Sequence, residues 1–258
     1  LNDLKQYTIS GIKQELSDLK LLFVEVDSDI FYDSSKAKDV QSIRSSVITS
    51  LNQHSKTVDM NKFGGRFKYS KILQIIDNVD NSITSNITRV RMRRNLNAIT
   101  STFAQYEICY GNRFHKNLDG YNVKSTGFKI AGEVDTVYFL DVPNPNGDIG
   151  LLSIVKPTLD PDTFEVVKKS IGTVDYKKGE IIVNTINIVA TDLPDNVIEI
   201  QAVPESNDVI GLKDLYLIFD ISKSNINMVR DTIASGEQIS GVNFPVRSSY
   251  SNGQITRK

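Results

Sequence analysis

The sequence holds one cysteine, two histidines and no tryptophan among its 258 residues. A single thiol, Cys109, excludes an internal disulfide and a cysteine-built zinc cage. His54 and His115 belong to no His-x-x-x-His or His-Glu-x-x-His spacing, so no zinc site is indicated and both read as loop or surface residues. Charge of one sign is lacking too. Thirty Lys+Arg stand against 31 Asp+Glu for a net charge of −1, which leaves no global basic field to gather nucleic acid or an anionic membrane. No apolar run approaches the roughly 20 residues of a membrane-spanning helix.

Chemical motifs are equally scarce. Gly127-x-x-x-x-Gly132 lacks the lysine of a phosphate loop, and no Gly-x-Ser-x-Gly elbow occurs. Cys109 and His115 could form a nucleophile–base pair, but Cys109 lies in the strand-like Tyr106-Glu107-Ile108-Cys109-Tyr110, where a thiol reads as a packed hydrophobe. Asp27, Asp29 and Asp33 begin like a calcium loop. Phe31 at the third ligand position breaks that pattern, and acids there suit a helix N-terminus. Asp160, Asp162 and Glu165 flank a proline turn, a poor place for a catalytic carboxylate pair. Asn86-Ile87-Thr88 matches a glycosylation sequon without a secretory signal. These readings give no catalytic residue, no metal site and no cofactor, and the chain is expected not to be an enzyme.

Proline is missing from residues 1–142; all seven lie between Pro143 and Pro245. Proline has no amide donor and collects in turns and at strand ends, so the helices are expected early and a turn-rich β region late. Leu4, Ile12, Leu16 and Leu19 make a loose helical stripe in residues 1–20. The chain opens on Leu1 without a signal-type apolar core, and is expected to start inside a longer polypeptide.

Leu21–Asp27 is β-rich and predicts a strand. After Asp33-Ser34-Ser35, a candidate N-cap, Val40, Ile43, Val47, Ile48 and Leu51 form one apolar face, which predicts a helix over 38–52. Gly64-Gly65 opens a short strand, Ser70 is placed to cap a second helix carrying Ile72, Leu73 and Ile76, and Ile87–Arg93 reads as a strand. This β-α-β-α-β order is the size of a small α/β sandwich with helices on one sheet face. From Thr100 onward, strands are expected near 101–110, 125–132, 135–142, 149–156, 163–169, 171–176, 180–190, 197–203 and 214–219, with a last short helix at 225–235. The fold class expected is α+β: a small α/β sandwich module over 21–97, then a larger, mostly antiparallel β domain over 98–222. A helix or linker (1–20) precedes them and a polar tail (223–258) follows.

Arg89-Val90-Arg91-Met92-Arg93-Arg94 is the most conspicuous local feature. In a strand, Arg89, Arg91 and Arg93 share one face, able to grip carboxylates in bidentate fashion or to pair with acids of the same chain. Without interleaved aromatics for base stacking, a protein partner suits the stripe better than nucleic acid. The candidate interface is Arg89, Arg91, Arg93, Arg94 and, from the tail, Asn243, Phe244 and Arg247.

The order of these segments resembles the C-terminal module of the baseplate J-like family of contractile-tailed phages. The resemblance rests on Val26-Asp27-Ser28-Asp29, the Lys38–Asn52 helix, Gly64-Gly65, Ser70–Ile76 and Ile87–Arg93, and on Ile171–Ile181 as a β-hairpin. It implies a non-enzymatic virion subunit that dimerises, builds the inner baseplate ring and passes on the change that triggers sheath contraction. The partners it implies are the chain itself and other baseplate wedge proteins, with no nucleic acid and no membrane. The alternative is a receptor- or glycan-binding β module of a tail appendage, against which the lack of tryptophan weighs.

Overall fold

The protein is described by a computed structural model, which covers residues 20–57, 59–158, 163–232, 250–251 and 254–255. Strand β1 (Lys20–Tyr32) extends well beyond the predicted Leu21–Asp27. Helix α1 (Val40–Ser55) buries Ile43, Val47 and Leu51, the apolar face read from the sequence. Its N-cap is Asp39, whose carboxylate accepts from the amides of Gln41 at 3.1 Å and Ser42 at 3.2 Å. Asp33, in the predicted cap region, serves instead in the turn after β1, where it accepts from the Ser35 amide at 2.9 Å and hydroxyl at 2.7 Å.

Two-residue β2 (Arg66–Phe67) leads into helix α2 (Tyr69–Asp77). The N-cap position of α2 falls on Lys68, not Ser70, and makes no side-chain bond. The orphan amide of Tyr69 is satisfied by Asp208 at 2.8 Å, a partner 139 positions away that no local pattern could show. β3 (Ile83–Asn97) closes the early part of the chain.

The later strands are β4 (Thr102–Cys109), β5 (Val123–Ser125), β6 (Phe128–Ile130), β7 (Tyr138–Val142), β8 (Ile149–Pro157), β9 (Phe164–Asp175), β10 (Glu180–Thr191), β11 (Val197–Ala202), β12 (Val209–Ile210), β13 (Leu215–Phe219) and β14 (Asn225–Arg230). Twelve strands join one sheet in the order β13-β1-β3-β11-β5-β7-β8-β9-β10-β4, with β14 also on β1 and β6 on β10. β13 and β14 run parallel to β1; the other pairs are antiparallel. β2 pairs with β12 apart from this sheet, and Tyr250–Ser251 pairs with Gln254–Ile255 in a hairpin.

This architecture overturns the expected α+β class. The described residues are mostly β, with two helices, and no distinct α/β sandwich is present. The reason lies in pairing across long sequence separations. β1 and β3 are antiparallel neighbours, β2 contributes nothing to their sheet, and the strands that flank them come from residues 197–230. The β-α-β-α-β succession is therefore real as an order of elements but does not close on itself. Two local expectations change as well. Residues 225–230 form β14 rather than a helix, because Asn225–Arg230 pair in register with Asp27–Tyr32. The two strands expected over 163–176 are one strand, β9, which takes up Ser170 at φ 55°.

The far end of the sheet returns to its middle. Arg94 Nη1 donates to the Cys109 carbonyl at 2.8 Å, and the buried Tyr110 hydroxyl donates to the Ile200 carbonyl at 2.6 Å. One continuous apolar core results, from Leu22, Val24, Ile72 and Met92 under the helices to Phe139, Leu152, Val174 and Ile181 under β7–β10. Each such side chain contributes roughly 1.5–3 kcal/mol on burial. The β9–β10 hairpin turns at Gly179, where φ is +68° and a Cβ would sit 1.8 Å from the Asn112 carbonyl oxygen.

Candidate functional site: the charged face around Arg93

Alternation along β3 divides its arginines. Thr88, Val90 and Met92 face the core, and Arg94 shares their side; Arg89, Arg91 and Arg93 point to the opposite face. Register then sets their neighbours. Phe23 lies opposite Arg93, Glu25 opposite Arg91 and Asp27 opposite Arg89.

Arg93 is buried and serves as a hub for carboxylates from three segments. Its Nε donates to Glu25 Oε1 of β1 at 2.5 Å, Nη1 to Glu199 Oε1 of β11 at 3.1 Å, and Nη2 to Asp220 Oδ2 after β13 at 2.7 Å. Nη1 also donates to Asn95 Oδ1 at 2.7 Å, and the guanidinium carbon lies 4.1 Å above the Phe23 ring centroid. Gln201 Nε2 donates to the other Glu25 oxygen at 2.9 Å, while Lys223 donates to Glu199 Oε1. Three carboxylates thus share two cations. Removing the guanidinium strands buried negative charge, a loss of the order of 3–5 kcal/mol when such a pair is broken.

The other sequence-predicted residues fall in different places. Arg89 is exposed and reaches Asp29 Oδ2 at 3.5 Å. Arg91 is half-buried; its Nε makes no hydrogen bond among the described residues, because the facing Glu25 is committed to Arg93 and Gln201. Arg94 holds β3 to β4 through the Cys109 carbonyl, and burial lowers its pKa from the usual guanidinium value. Asn243, Phe244 and Arg247 lie outside the described residues. The structure therefore brings Arg89, Arg91 and Arg93 to one face, with Arg93 tied into the chain's own interior.

Sequence reasoning missed a second buried polar cluster, since its members come from β5, β7 and the segments that precede β5 and follow β9. Asp141 accepts from the Tyr176 hydroxyl at 2.6 Å, Asn122 Nδ2 at 3.0 Å and the Val123 amide at 3.0 Å. Burial, then the Asp141 charge, push the Tyr176 pKa up. In both arrangements the charged groups are turned on other protein groups.

Of the weaker candidates, Asp160 and Asp162 lie outside the described residues, and Glu165 pairs with Lys156 at 3.7 Å. No hydrogen bond joins Cys109 to His115, and no metal-binding cluster of His, Cys, Asp or Glu occurs, among the described residues. A groove of about 390 Å³ runs between the N-terminus of α1 and the α2–β3 turn and is lined by Lys36, Asp39, Ser42 and Ser82 among others.

Comparison with known proteins bears on the strands that carry this face. Residues 20–95 match the family described as baseplate structural protein gp6, C-terminal domain III. That match supports a phage baseplate protein. It ends two residues past Arg93, so the matched segment supplies Glu25 and the guanidinium while Glu199 and Asp220 come from beyond it. The likeness is to a structural protein of the virion tail, which suggests a non-enzymatic role and contact with other baseplate proteins. No curated protein matches the chain.

Proposed function

We propose that this chain is a structural subunit of a phage baseplate wedge. It self-associates, as a dimer and then within the inner baseplate ring, joins wedges to one another and transmits the conformational change that triggers sheath contraction. The single observation that carries the reading is the match of residues 20–95 to a structural baseplate domain. The resemblance to the baseplate J-like family, and within it to the wedge ring protein of T-even-type phages, supplies the finer role. The chain would be assembled into tails in the host cytoplasm.

Physical features support it. A ring subunit needs stiff, shape-specific surfaces rather than a reactive cleft. The Arg93 hub joins β1, β3, β11 and the segment after β13, so force on one strand is passed to the others. In this reading Arg89 and Arg91 offer charge to a neighbour together with Asn243, Phe244 and Arg247, while Arg93 and Arg94 hold the strands that present them.

Light scattering across a hundredfold range of concentration tests self-association. The expected result is a mass that rises from one chain to two or more. A single-chain mass throughout, for the chain with whatever segments flank it in the virion, refutes it.

A further inference from the structure

The face that carries the arginines continues across the sheet and changes character. On β1, β3 and β14 its polar groups bond to one another: Arg93 to Glu25, Arg89 to Asp29, Asn225 to Asp27 and Asn227 to Asp29. On β7–β10 exposed apolar groups take their place. Val142, Leu151, Thr173 and Ile182 are consecutive register partners on four adjacent strands, and the row ends at Glu107 of β4. Val142 is 48%, Leu151 46% and Ile182 42% exposed, and Ile149 in the next row is 54% exposed. Apolar groups that a sheet lines up and leaves open over a few hundred Å² mark a contact surface on an otherwise soluble protein.

Charge says what kind of surface covers it. The row beside the strip runs Ile149, Asp175, Glu180 and Cys109. The strip is thus apolar towards β7 and β8 and carries an acidic margin on β10 and β4. Glu107 and Glu180 make no ion pair among the described residues, in contrast to Asp175, whose carboxylate caps the hairpin turn.

We propose that the outer face of β7–β10 docks a segment of a different baseplate protein, in which an apolar strip is bordered by lysine or arginine. The proposal rests on the baseplate reading given above and adds the surface and the chemistry of the partner. A second copy of this chain presenting the same face would set Glu107 and Glu180 against their own counterparts or against the apolar strip, and neither arrangement pairs the charge.

The test uses complete tails that incorporate the full chain with Leu151→benzoylphenylalanine or, separately, Ile182→benzoylphenylalanine. Each tail preparation is irradiated, and the linked residues are identified by mass spectrometry. The expected product joins this chain to another tail protein at an apolar segment that has Lys or Arg within a few residues. Glu107→Lys with Glu180→Lys is expected to cut its yield about tenfold. A tail-incorporated chain that gives no product at either position, or a product with a second copy of itself, overturns the docking proposal and leaves the baseplate reading standing. An unchanged yield after the charge reversal also overturns it. Absence of the chain from purified tails overturns both.

Discussion

Arg93 Nε lies 2.5 Å from Glu25 Oε1, with 2% and 1% of the two side chains exposed. A charge held that deeply is committed to the fold. The stripe of arginines that looks uniform in the sequence is therefore divided by function, with Arg93 fixed inside and Arg89 in solvent.

The division is measurable. Arg93→Met is expected to destabilise the chain by about 3–5 kcal/mol, since Glu25 and its companions lose their counter-charge. Arg89→Ala is expected to cost less than about 1 kcal/mol, because its pair with Asp29 is partly solvated. Urea unfolding of the two variants gives both numbers. Equal losses would contradict the geometry.

The Tyr176–Asp141 bond makes a second prediction. Tyr176→Phe leaves a buried carboxylate short of one donor and is expected to cost about 1–3 kcal/mol in urea unfolding. Burial also raises the pKa values of Tyr110 and Tyr176 above the ordinary phenol value. Their folded-state values are raised, so the stability they contribute is present below the unfolded value near 10 and is lost as pH rises past it. Absorbance at 295 nm should show two tyrosines that ionise only with unfolding. Smooth titration of all ten in the folded chain would refute this.

His54, in the last turn of α1, has its pKa lowered chiefly by burial, with Asp59 opposing and Lys71 assisting. The unfolded chain takes up this proton near pH 6.5 and the folded chain only at lower pH, so stability falls as pH drops through 6.5. Between pH 7.5 and 5.5 the melting temperature should fall more for the wild type than for His54→Gln. Parallel decreases would remove His54 as the cause.

Much of this was legible in the residues. The face of α1 was visible at Val40, Ile43, Val47 and Leu51 because a helix repeats within a few residues. The sharing of one face by Arg89, Arg91 and Arg93 also followed from the period of a strand. The fold class did not follow, because it depends on β13 and β14 lying against β1 from nearly 200 residues away. The burial of Arg93 was hidden for the same reason, since Glu199 and Asp220 are distant in sequence. The apolar row Val142–Leu151–Thr173–Ile182 needs three strand registers at once, and no periodicity within one segment reveals it.

On the proposed function, this chain works by being held among neighbours in a phage baseplate. Cryo-electron microscopy of purified tails, with the described residues between 20 and 232 fitted to the density, is the decisive measurement. The expected result is that the chain is found in the baseplate, as repeated copies, with other subunits against the sheet face that runs from Arg89 to Ile182. Tails that are complete and functional without this chain would contradict it.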